Sequence, residues 1–266
     1  MTTTTPSGLL MPHAARMARH TEKTLNVLQF LREETWSSTH VLSMLLGVAY
    51  STTHQLMKRM SDAQLIKSVP MFIAGTRGAT RVVLHGITHH GLAMSFPLDS
   101  TTEIGRAWEP SKISPLFVPH QLELQEARLR AQGAGWQSWR PARLLSGIGL
   151  PKLPDAEAID PDGVSVAIEL ERHIKSLRRY EVVIGSYILV IKQQKRWQRI
   201  DYLCPNHDSA HRLSQAFSRV EQVRVESTAT YPGRCGPIEQ THLDLFRFYA
   251  VEDWPLGPYR QARLPS

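Results

Sequence analysis

Apolar residues in the first third of the chain recur at helical spacing in three consecutive segments. The first runs from Glu22 to Glu34, and the second from Ser38 to Leu46, with Ser37 or Ser38 as its N-cap and Gly47 as its stop. The third, residues 49–60, has small hydroxyl residues at its front and apolar residues on its back. This pattern predicts three short helices in succession.

Two β-prone runs follow, Leu65–Ile73 and Thr80–Leu84, separated by a glycine-containing turn. Three helices and a hairpin are the order of a winged helix-turn-helix, which we place at residues 21–96 after a flexible leader, residues 1–20. The third helix is then the recognition helix. The residues expected to contact DNA are Ser51, Thr52, Thr53, His54, Gln55, Lys58 and Arg59 on that helix, with Arg77 and Arg81 on the hairpin. A small α/β domain that binds a protein or an effector stays open, because fold alone does not fix the ligand.

The rest of the chain predicts a second domain of mixed α/β class. Residues 97–118 have several prolines and little periodicity, which predicts a linker; residues 119–250 form the domain and residues 251–266 a tail. The predicted elements are a helix at His120–Ala131, strands at Trp136–Trp139, Asp155–Ile159 and Val164–Glu171, a helix at Ile174–Lys192, a strand at Trp197–Leu203, a helix at Asp208–Val220 and a strand at Val223–Glu226. Their succession contains an α-β-β-β-α-β order.

Charge is distributed unevenly between the two parts. The formal net charge is +7, and residues 1–96 hold nine Lys and Arg against four acids, whereas residues 97–266 hold 22 against 20. A local basic excess favours association with polyanions such as nucleic acid. Two cysteines, no long apolar stretch and no signal-peptide pattern predict a cytoplasmic protein without a membrane anchor.

Acidic residues alternate with apolar ones on the predicted strand Val164–Glu171, so Glu169 and Glu171 share one face. Two carboxylates on one strand face are costly unless something neutralises them. Mg²⁺ or Mn²⁺ takes oxygen ligands and retains waters, so Asp155 from the neighbouring strand and Glu169 are candidate ligands, and Glu171 is a second ligand or a proton acceptor. Lys175 is the candidate ammonium that stabilises developing charge. The alternative is that both glutamates lie on the solvated face of an edge strand.

Pro154-Asp155 followed by Glu169-Leu170-Glu171 resembles the PD-(D/E)XK nuclease motif, with Glu171 in the usual place of the lysine. The run from Val166 to Glu171, with Lys175-Ser176 and Arg179-Tyr180, more closely resembles a signature of the replication-relaxation family, which includes the MOBC class of plasmid relaxases. This resemblance covers most of the chain. It implies an N-terminal winged helix joined to a restriction-endonuclease-like domain.

Carried over by position, the resemblance implies that Asp155 and Glu169 ligate a metal ion. It implies catalysis or metal binding for Glu171 and a phosphate-directed role for Lys175. Relaxases of the more common kind use a tyrosine nucleophile, and here Tyr180 and Tyr187 fit packing better than that role.

Two further groups of residues are weaker candidates. The spacing of Cys204, His207, His211 and Cys235 is compatible with zinc, although a structural zinc site usually has tighter paired spacing. The basic segment Lys192–Arg199 fits either a DNA backbone contact or a solvated helix end.

Three functions are consistent with these features. The leading one is a mobilisation relaxase that recognises double-stranded DNA at a plasmid or mobile-element transfer origin, nicks one strand with Mg²⁺ or Mn²⁺, and works with a coupling or accessory mobilisation protein. The second is a non-catalytic DNA-binding accessory or regulator of plasmid replication or transfer. The third is a restriction-type endonuclease that cuts both strands, normally as a dimer.

Overall fold

The computed structural model describes residues 12–75, 78–96, 105–146, 152–225 and 233–264. The protein is of mixed α/β class, as predicted, and its chain divides into two compact units, Met1–Leu122 and Glu123–Ser266. Among the helices that these ranges contain, none has the length and apolar character of a membrane span.

The first unit has the predicted order of three helices and a hairpin, with one additional short strand. Its elements are α1 (His13–Glu34), β1 (Trp36–Ser38), α2 (Thr39–Leu46), α3 (Tyr50–Asp62), β2 (Ile66–Gly75), β3 (Gly78–Ile87), α4 (His89–Met94) and a 3-10 helix (Pro110–Lys112). The three strands form an antiparallel sheet in the order β1-β3-β2. Its core contains Leu31, Leu42 and Met57, all completely buried.

Local signals explain where α2 begins and ends. The Ser38 side chain accepts a hydrogen bond from the Val41 backbone N–H, and Gly47 ends the helix in the left-handed conformation, as predicted. The predicted flexible leader is wrong from His13 onward, where α1 has already begun. Alanine, arginine and methionine dominate residues 14–19, and these residue types favour helix. Residues 1–11 of that leader lie outside the described residues.

The predicted linker is also wrong over its described part. Trp108 is buried, and its backbone N–H donates to the Ile87 carbonyl at 2.8 Å. Its ring packs against Gly86 so closely that there is no space for a Cβ at that position. Residues 105–117 are therefore part of the first unit, and the division of the chain falls after Leu122. Residues 97–104 of the predicted linker lie outside the described ranges.

The second unit is built on a five-stranded mixed sheet in the order β10-β7-β6-β5-β4. Its elements are α5 (Val118–Gly133, which begins before the division), β4 (Gln137–Pro141), α6 (Ala142–Leu145), β5 (Ala156–Ile159), β6 (Ser165–Leu170), α7 (Leu177–Gln194), β7 (Arg199–Cys204), α8 (His207–Ser218), β8 (Gln222–Val225), β9 (Arg234–Pro237), α9 (Gln240–Leu243) and β10 (Phe246–Ala250). Pairing is antiparallel from β4 to β6 and parallel from β6 to β10. The predicted α-β-β-β-α-β order is present in α5, β4, β5, β6, α7 and β7, with the short helix α6 inserted between β4 and β5.

The strand predicted at Val223–Glu226 is confirmed as β8, which pairs with β9 in a separate two-stranded sheet, and β10 lies at one edge of the five-stranded sheet. The predicted tail is wrong over its described part. Residues 251–264 are packed against the unit and do not form a free tail. Phe248 and Arg260 exchange backbone hydrogen bonds, and the buried Trp254 donates its indole N–H to Asp201 at 3.1 Å.

Each face of the sheet has its own hydrophobic cluster. On one face α7 and α8 pack against β7 and β10, with Tyr187, Phe217 and Phe246 at the centre. On the other face α5 packs with Trp136 and Trp254. Gly185 lets α7 approach β8, because a Cβ there would collide with the β8 backbone. Both faces of β6 are therefore covered.

Candidate active site and candidate nucleic-acid interface

The β5–β6 hairpin brings two carboxylates together. Ala156 pairs with Ile168, so Asp155 and Glu169 each lie one residue beyond this pair, and the charge of Asp155 acts on Glu169. Asp155 accepts a hydrogen bond from the Leu170 backbone N–H through Oδ2 at 2.8 Å, which orients its carboxylate. The hairpin therefore juxtaposes the two residues that the sequence predicts as metal ligands.

Glu169 is a buried carboxylate, with 8% of its surface exposed. Lys152 Nζ lies 2.5 Å from Glu169 Oε1, and the Tyr187 hydroxyl donates a hydrogen bond to the same oxygen. Burial raises the pKa of Glu169, the neighbouring charge of Asp155 raises it further, and Lys152 opposes both effects. Burial and the Glu169 charge also raise the pKa of Tyr187 well above its usual value, so Tyr187 keeps its proton and acts as a donor.

The edge-strand alternative does not agree with the sheet. β6 lies between β5 and β7 in the interior of the five-stranded sheet, and Glu171 is 9% exposed. Neither Glu169 nor Glu171 therefore lies on a solvated strand face. A carboxylate in such a position requires a charged or hydrogen-bonding partner.

Glu171 and Lys175 form a second pair, just beyond the end of β6. The Glu171 backbone N–H donates to the Leu203 carbonyl at 2.9 Å, and Lys175 Nζ lies 2.6 Å from Glu171 Oε2. The Lys175 side chain is half exposed, and its backbone N–H donates to the Tyr180 hydroxyl at 2.9 Å. The helix predicted at Ile174–Lys192 begins only at Leu177, so Lys175 lies before α7 and not within it.

The three predicted metal ligands do not form one cluster. Within the described ranges, no three His, Cys, Asp or Glu side chains are grouped closely enough to hold a metal ion. Asp155 and Glu169 remain as a two-carboxylate site, whereas Glu171 is paired with Lys175. Such a pair fits Mg²⁺, which commonly uses one or two protein carboxylates and keeps several waters.

Lys152 is the site residue that the sequence analysis missed. It lies three residues before Asp155, in the segment Lys-Leu-Pro-Asp, and only the folded hairpin brings it to Glu169. A cavity of about 270 Å³ adjoins the second pair. Glu171, Arg172, Ser209 and Arg212 are among the residues that line it.

The weaker zinc candidate, Cys204 with His207, His211 and Cys235, is not assembled as a metal-binding group among the described residues. Cys204 is buried, and burial raises the pKa of its thiol to about 12. Cys235 is exposed, and its thiol donates a hydrogen bond to the side-chain oxygen of Gln222. His207 lies 3.3 Å from Asp253. These residues therefore have separate environments.

The basic segment Lys192–Arg199 divides into inward and outward residues. Arg196 binds the Glu157 carboxylate through two nitrogens, and Trp197 donates its indole N–H to the same group. Arg199 pairs with Asp201 at 2.8 Å and also binds Asp160. Lys192 and Lys195 are exposed. Arg196, Trp197 and Arg199 bind acidic side chains within the unit. Within this segment, Lys192 and Lys195 are therefore the residues that fit the predicted contact with a DNA backbone.

In the first unit, α3 presents most of its predicted contact residues to solvent. Its exposed side chains include Ser51, Thr52, His54, Gln55, Lys58 and Arg59. Thr53 is completely buried, and its hydroxyl donates to the Ala49 carbonyl at 3.3 Å, so its prediction as a DNA contact is wrong. The helical period turns this position toward the core. Arg81 is exposed on β3, and Arg77 lies outside the described residues.

Tyr180 and Tyr187 are both completely buried between α7 and the sheet. Tyr180 packs against Phe217, and burial raises the pKa of its hydroxyl to about 12. Both tyrosines therefore have the packing role that the sequence favours.

No family model, curated protein or solved structure matches this chain.

Proposed function

We propose that this protein is a DNA-binding mobilisation protein of the relaxase class, which recognises a transfer origin and nicks one DNA strand with Mg²⁺ or Mn²⁺. The observation that carries the proposal is the juxtaposition of Asp155 and Glu169 on an interior hairpin, with Lys152 beside them. The same two carboxylates belong to the motif that resembles the replication-relaxation family. A buried carboxylate whose pKa is raised by burial and by a neighbouring carboxylate is a common feature of catalytic sites.

Each side chain of the site has a chemical role in this proposal. Asp155 and Glu169 would hold the metal ion, which would polarise the scissile phosphate and lower the pKa of a bound water. Tyr187 and the Leu170 N–H orient the two carboxylates. Lys152 supplies an ammonium that stabilises negative charge developing on the phosphate.

The second pair extends the site toward solvent. The half-exposed Lys175 is positioned by the Glu171 carboxylate, and the adjoining cavity is lined by Arg172 and Arg212. Cationic side chains at the mouth of a cleft attract a phosphate backbone. In this proposal the Lys175 ammonium contacts the DNA backbone, and the Glu171 carboxylate keeps the Lys175 side chain in position for that contact.

The proposed winged helix accounts for recognition. The β2–β3 hairpin is paired from Ile66–Ile87 to Gly75–Gly78, which is long enough to act as a wing, and Arg81 is exposed on it. The front of α3 presents hydroxyl, amide and basic side chains that can donate hydrogen bonds to base edges and phosphates.

The test is cleavage of supercoiled DNA from the element that encodes the protein, with Mg²⁺ or Mn²⁺. Wild type should produce open circles, and Asp155→Asn, Glu169→Gln and Lys152→Met should each reduce the rate of their formation by at least about 10- to 100-fold, because a metal site depends steeply on its ligands and their supporting residues. Asp162→Asn, an exposed carboxylate in the turn of the same hairpin, is the matched control and should retain full activity. Nicking that survives Glu169→Gln would reject this site.

One observation favours the non-catalytic alternative. Glu171 occupies the usual place of the motif lysine and is neutralised by Lys175, and among the described residues no cluster of three metal-binding side chains is present. A specific gel shift without product under any divalent metal would support a DNA-binding accessory protein. Linear product would support a restriction-type enzyme instead.

A further inference from the structure

The first turns of α1 carry basic residues on a single face. Arg16, Arg19, His20 and Lys23 follow the spacing i, i+3, i+4 and i+7, which places them along one side of the helix. Arg16 and Arg19 are exposed, and Lys23 is partly exposed. Residues 1–20 were predicted to be a flexible leader. These basic side chains share one face only because residues 13–23 are helical.

This face of α1 lies opposite α3. A groove of about 230 Å³ separates the two helices, and α3 contributes Thr52, Gln55 and Arg59 to its wall, again at helical spacing. Four residues of the lining, Arg16, Arg19, Lys23 and Arg59, carry a permanent positive charge, and the lining includes no carboxylate.

The gathered charge is not balanced within the first unit. Across the residues that the structure describes, Arg16, Arg19, Lys23 and Arg59 form no ion pair with an acidic side chain. Like charges gathered around one groove repel one another, and an anionic ligand would remove that repulsion. The groove therefore fits a polyanion.

The dimensions and chemistry of the groove favour duplex DNA among polyanions. From Arg16 to Lys23 the basic face extends about 10 Å along the helix, which equals the axial rise of about three phosphates on one strand. The opposite wall carries Thr52 and Gln55, whose hydroxyl and amide groups can reach base edges or phosphates. An acidic protein segment would not require this arrangement of regularly spaced cations beside an exposed polar helix.

We propose that residues 13–23 of α1 form, with α3, a clamp for the phosphate backbone of double-stranded DNA. Arg16, Arg19 and Lys23 hold one strand while the front of α3 faces the adjacent groove. This inference rests on the proposed DNA-binding role of α3 and adds a segment that the sequence did not assign to DNA. Its contacts are with phosphates, so they contribute affinity and not base specificity.

The salt dependence of binding tests the clamp. The full-length protein is titrated onto a fluorescent 25-base-pair duplex of mixed sequence between about 50 and 200 mM NaCl, the range over which phosphate contacts change affinity most. For Arg16→Gln/Arg19→Gln/Lys23→Gln, the slope of log K against log salt should become shallower by about 2 to 3, because each lost phosphate contact removes about 0.9. Glutamine keeps helix propensity high, and circular dichroism checks that the helix remains.

The control variant is Arg106→Gln/Lys112→Gln, which is compared with Arg16→Gln/Arg19→Gln so that both variants lose two positive charges; Arg106 and Lys112 lie outside the groove, α3 and the β2–β3 hairpin. The slope of the control should change by less than about 1, since no phosphate contact is expected at these positions. Equal slopes for the two double variants would overturn the clamp. Displacement of the duplex by poly-glutamate at equal charge concentration would also overturn it, in favour of an acidic protein partner.

Failure of the clamp and failure of the proposed function give different results. Duplex binding with the expected loss of slope, but without nicking under Mg²⁺ or Mn²⁺, would support the clamp and reject the nuclease. Nicking by wild type with an unchanged slope in the α1 variant would reject only the clamp. If wild type binds no duplex, both are rejected.

Discussion

His85 should make the stability of the first unit depend on pH. It lies on β3 with 3% of its surface exposed, and its two ring nitrogens share hydrogen bonds with Thr39 at 2.8 Å and Ser68 at 2.9 Å. It thereby connects the start of α2 to the β2–β3 hairpin. Burial, with a smaller contribution from His54, lowers the pKa of His85 from 6.5 to about 4.

The sign of the effect follows from that direction. The folded state binds the proton of His85 less tightly than the unfolded state does. The contribution of neutral His85 to the free energy of unfolding is therefore fully present above pH 6.5 and is lost as the pH falls toward 4. A shift of this size corresponds to about 2 kcal/mol lost by pH 5 and about 3 kcal/mol by pH 4. For a unit of this size, 3 kcal/mol is a decrease in Tm of about 10 °C.

The assay compares wild type with His85→Gln in thermal unfolding followed by circular dichroism from pH 7 to pH 4. His85→Gln should be less stable at pH 7, and the difference should shrink by about 3 kcal/mol on acidification, since glutamine does not titrate. His13→Gln, an exposed histidine of the same unit, should follow wild type. Parallel pH profiles for wild type and His85→Gln would refute the reasoning.

Two substitutions in the second unit give further predictions. Gly185→Ala should lower the free energy of unfolding by about 1 to 3 kcal/mol, measured by urea denaturation, despite the better helix propensity of alanine, because its Cβ would collide with the β8 backbone. Gly133→Ala, with open space at its Cβ, should be neutral or stabilising, and an equal loss in both would contradict the packing argument. Asp201→Ala should cost about 3 kcal/mol in the same assay, the low end for a broken buried pair, because Asp160 still neutralises Arg199. A loss in the free energy of unfolding below about 1 kcal/mol would mean that the Asp201–Arg199 ion pair behaves like a solvent-exposed salt bridge.

Elements with a clear hydrophobic period could be predicted from the sequence. The alternation along β6 and the helical spacing in α7 each depend on residues close in sequence, so they can be recognised locally. The Ser38 cap and the Gly47 stop are also local signals. Even the juxtaposition of Asp155 and Glu169 follows from a short hairpin register.

Contacts between distant segments could not be predicted in this way. β10 pairs with β7 in parallel, Phe246 with Ile200, and no turn signal joins two strands that are far apart in sequence. The hydrogen bond from Trp254 to Asp201 fixes the end of the chain in the same non-local manner. Lys152 reaches Glu169 only after the hairpin has closed, so its proximity has no counterpart in the local pattern.

The start of α1 is a different kind of error, because the signal was present. Residues 14–19 are rich in alanine, arginine and methionine, all strong helix formers, but they follow a threonine-rich stretch. The composition of residues 1–20 taken together favoured a flexible segment, although residues 14–19 alone have a high helix propensity. The consequence is functional, since the basic face of the proposed clamp belongs to that half.

Two buried carboxylates of the second unit show why only one of them indicates function. Burial raises the pKa of Asp201, but every charged neighbour lowers it, which is the pattern of a structural ion pair, here with Arg199. Burial raises the pKa of Glu169, its partner Lys152 lowers it, and the neighbouring carboxylate of Asp155 raises it, so a second negative charge acts on Glu169. An apolar side chain at this interior position would contribute about 1.5 to 3 kcal/mol through burial. A central strand that forgoes this stabilisation and places two carboxylates together has the charge pattern that a bound cation relieves.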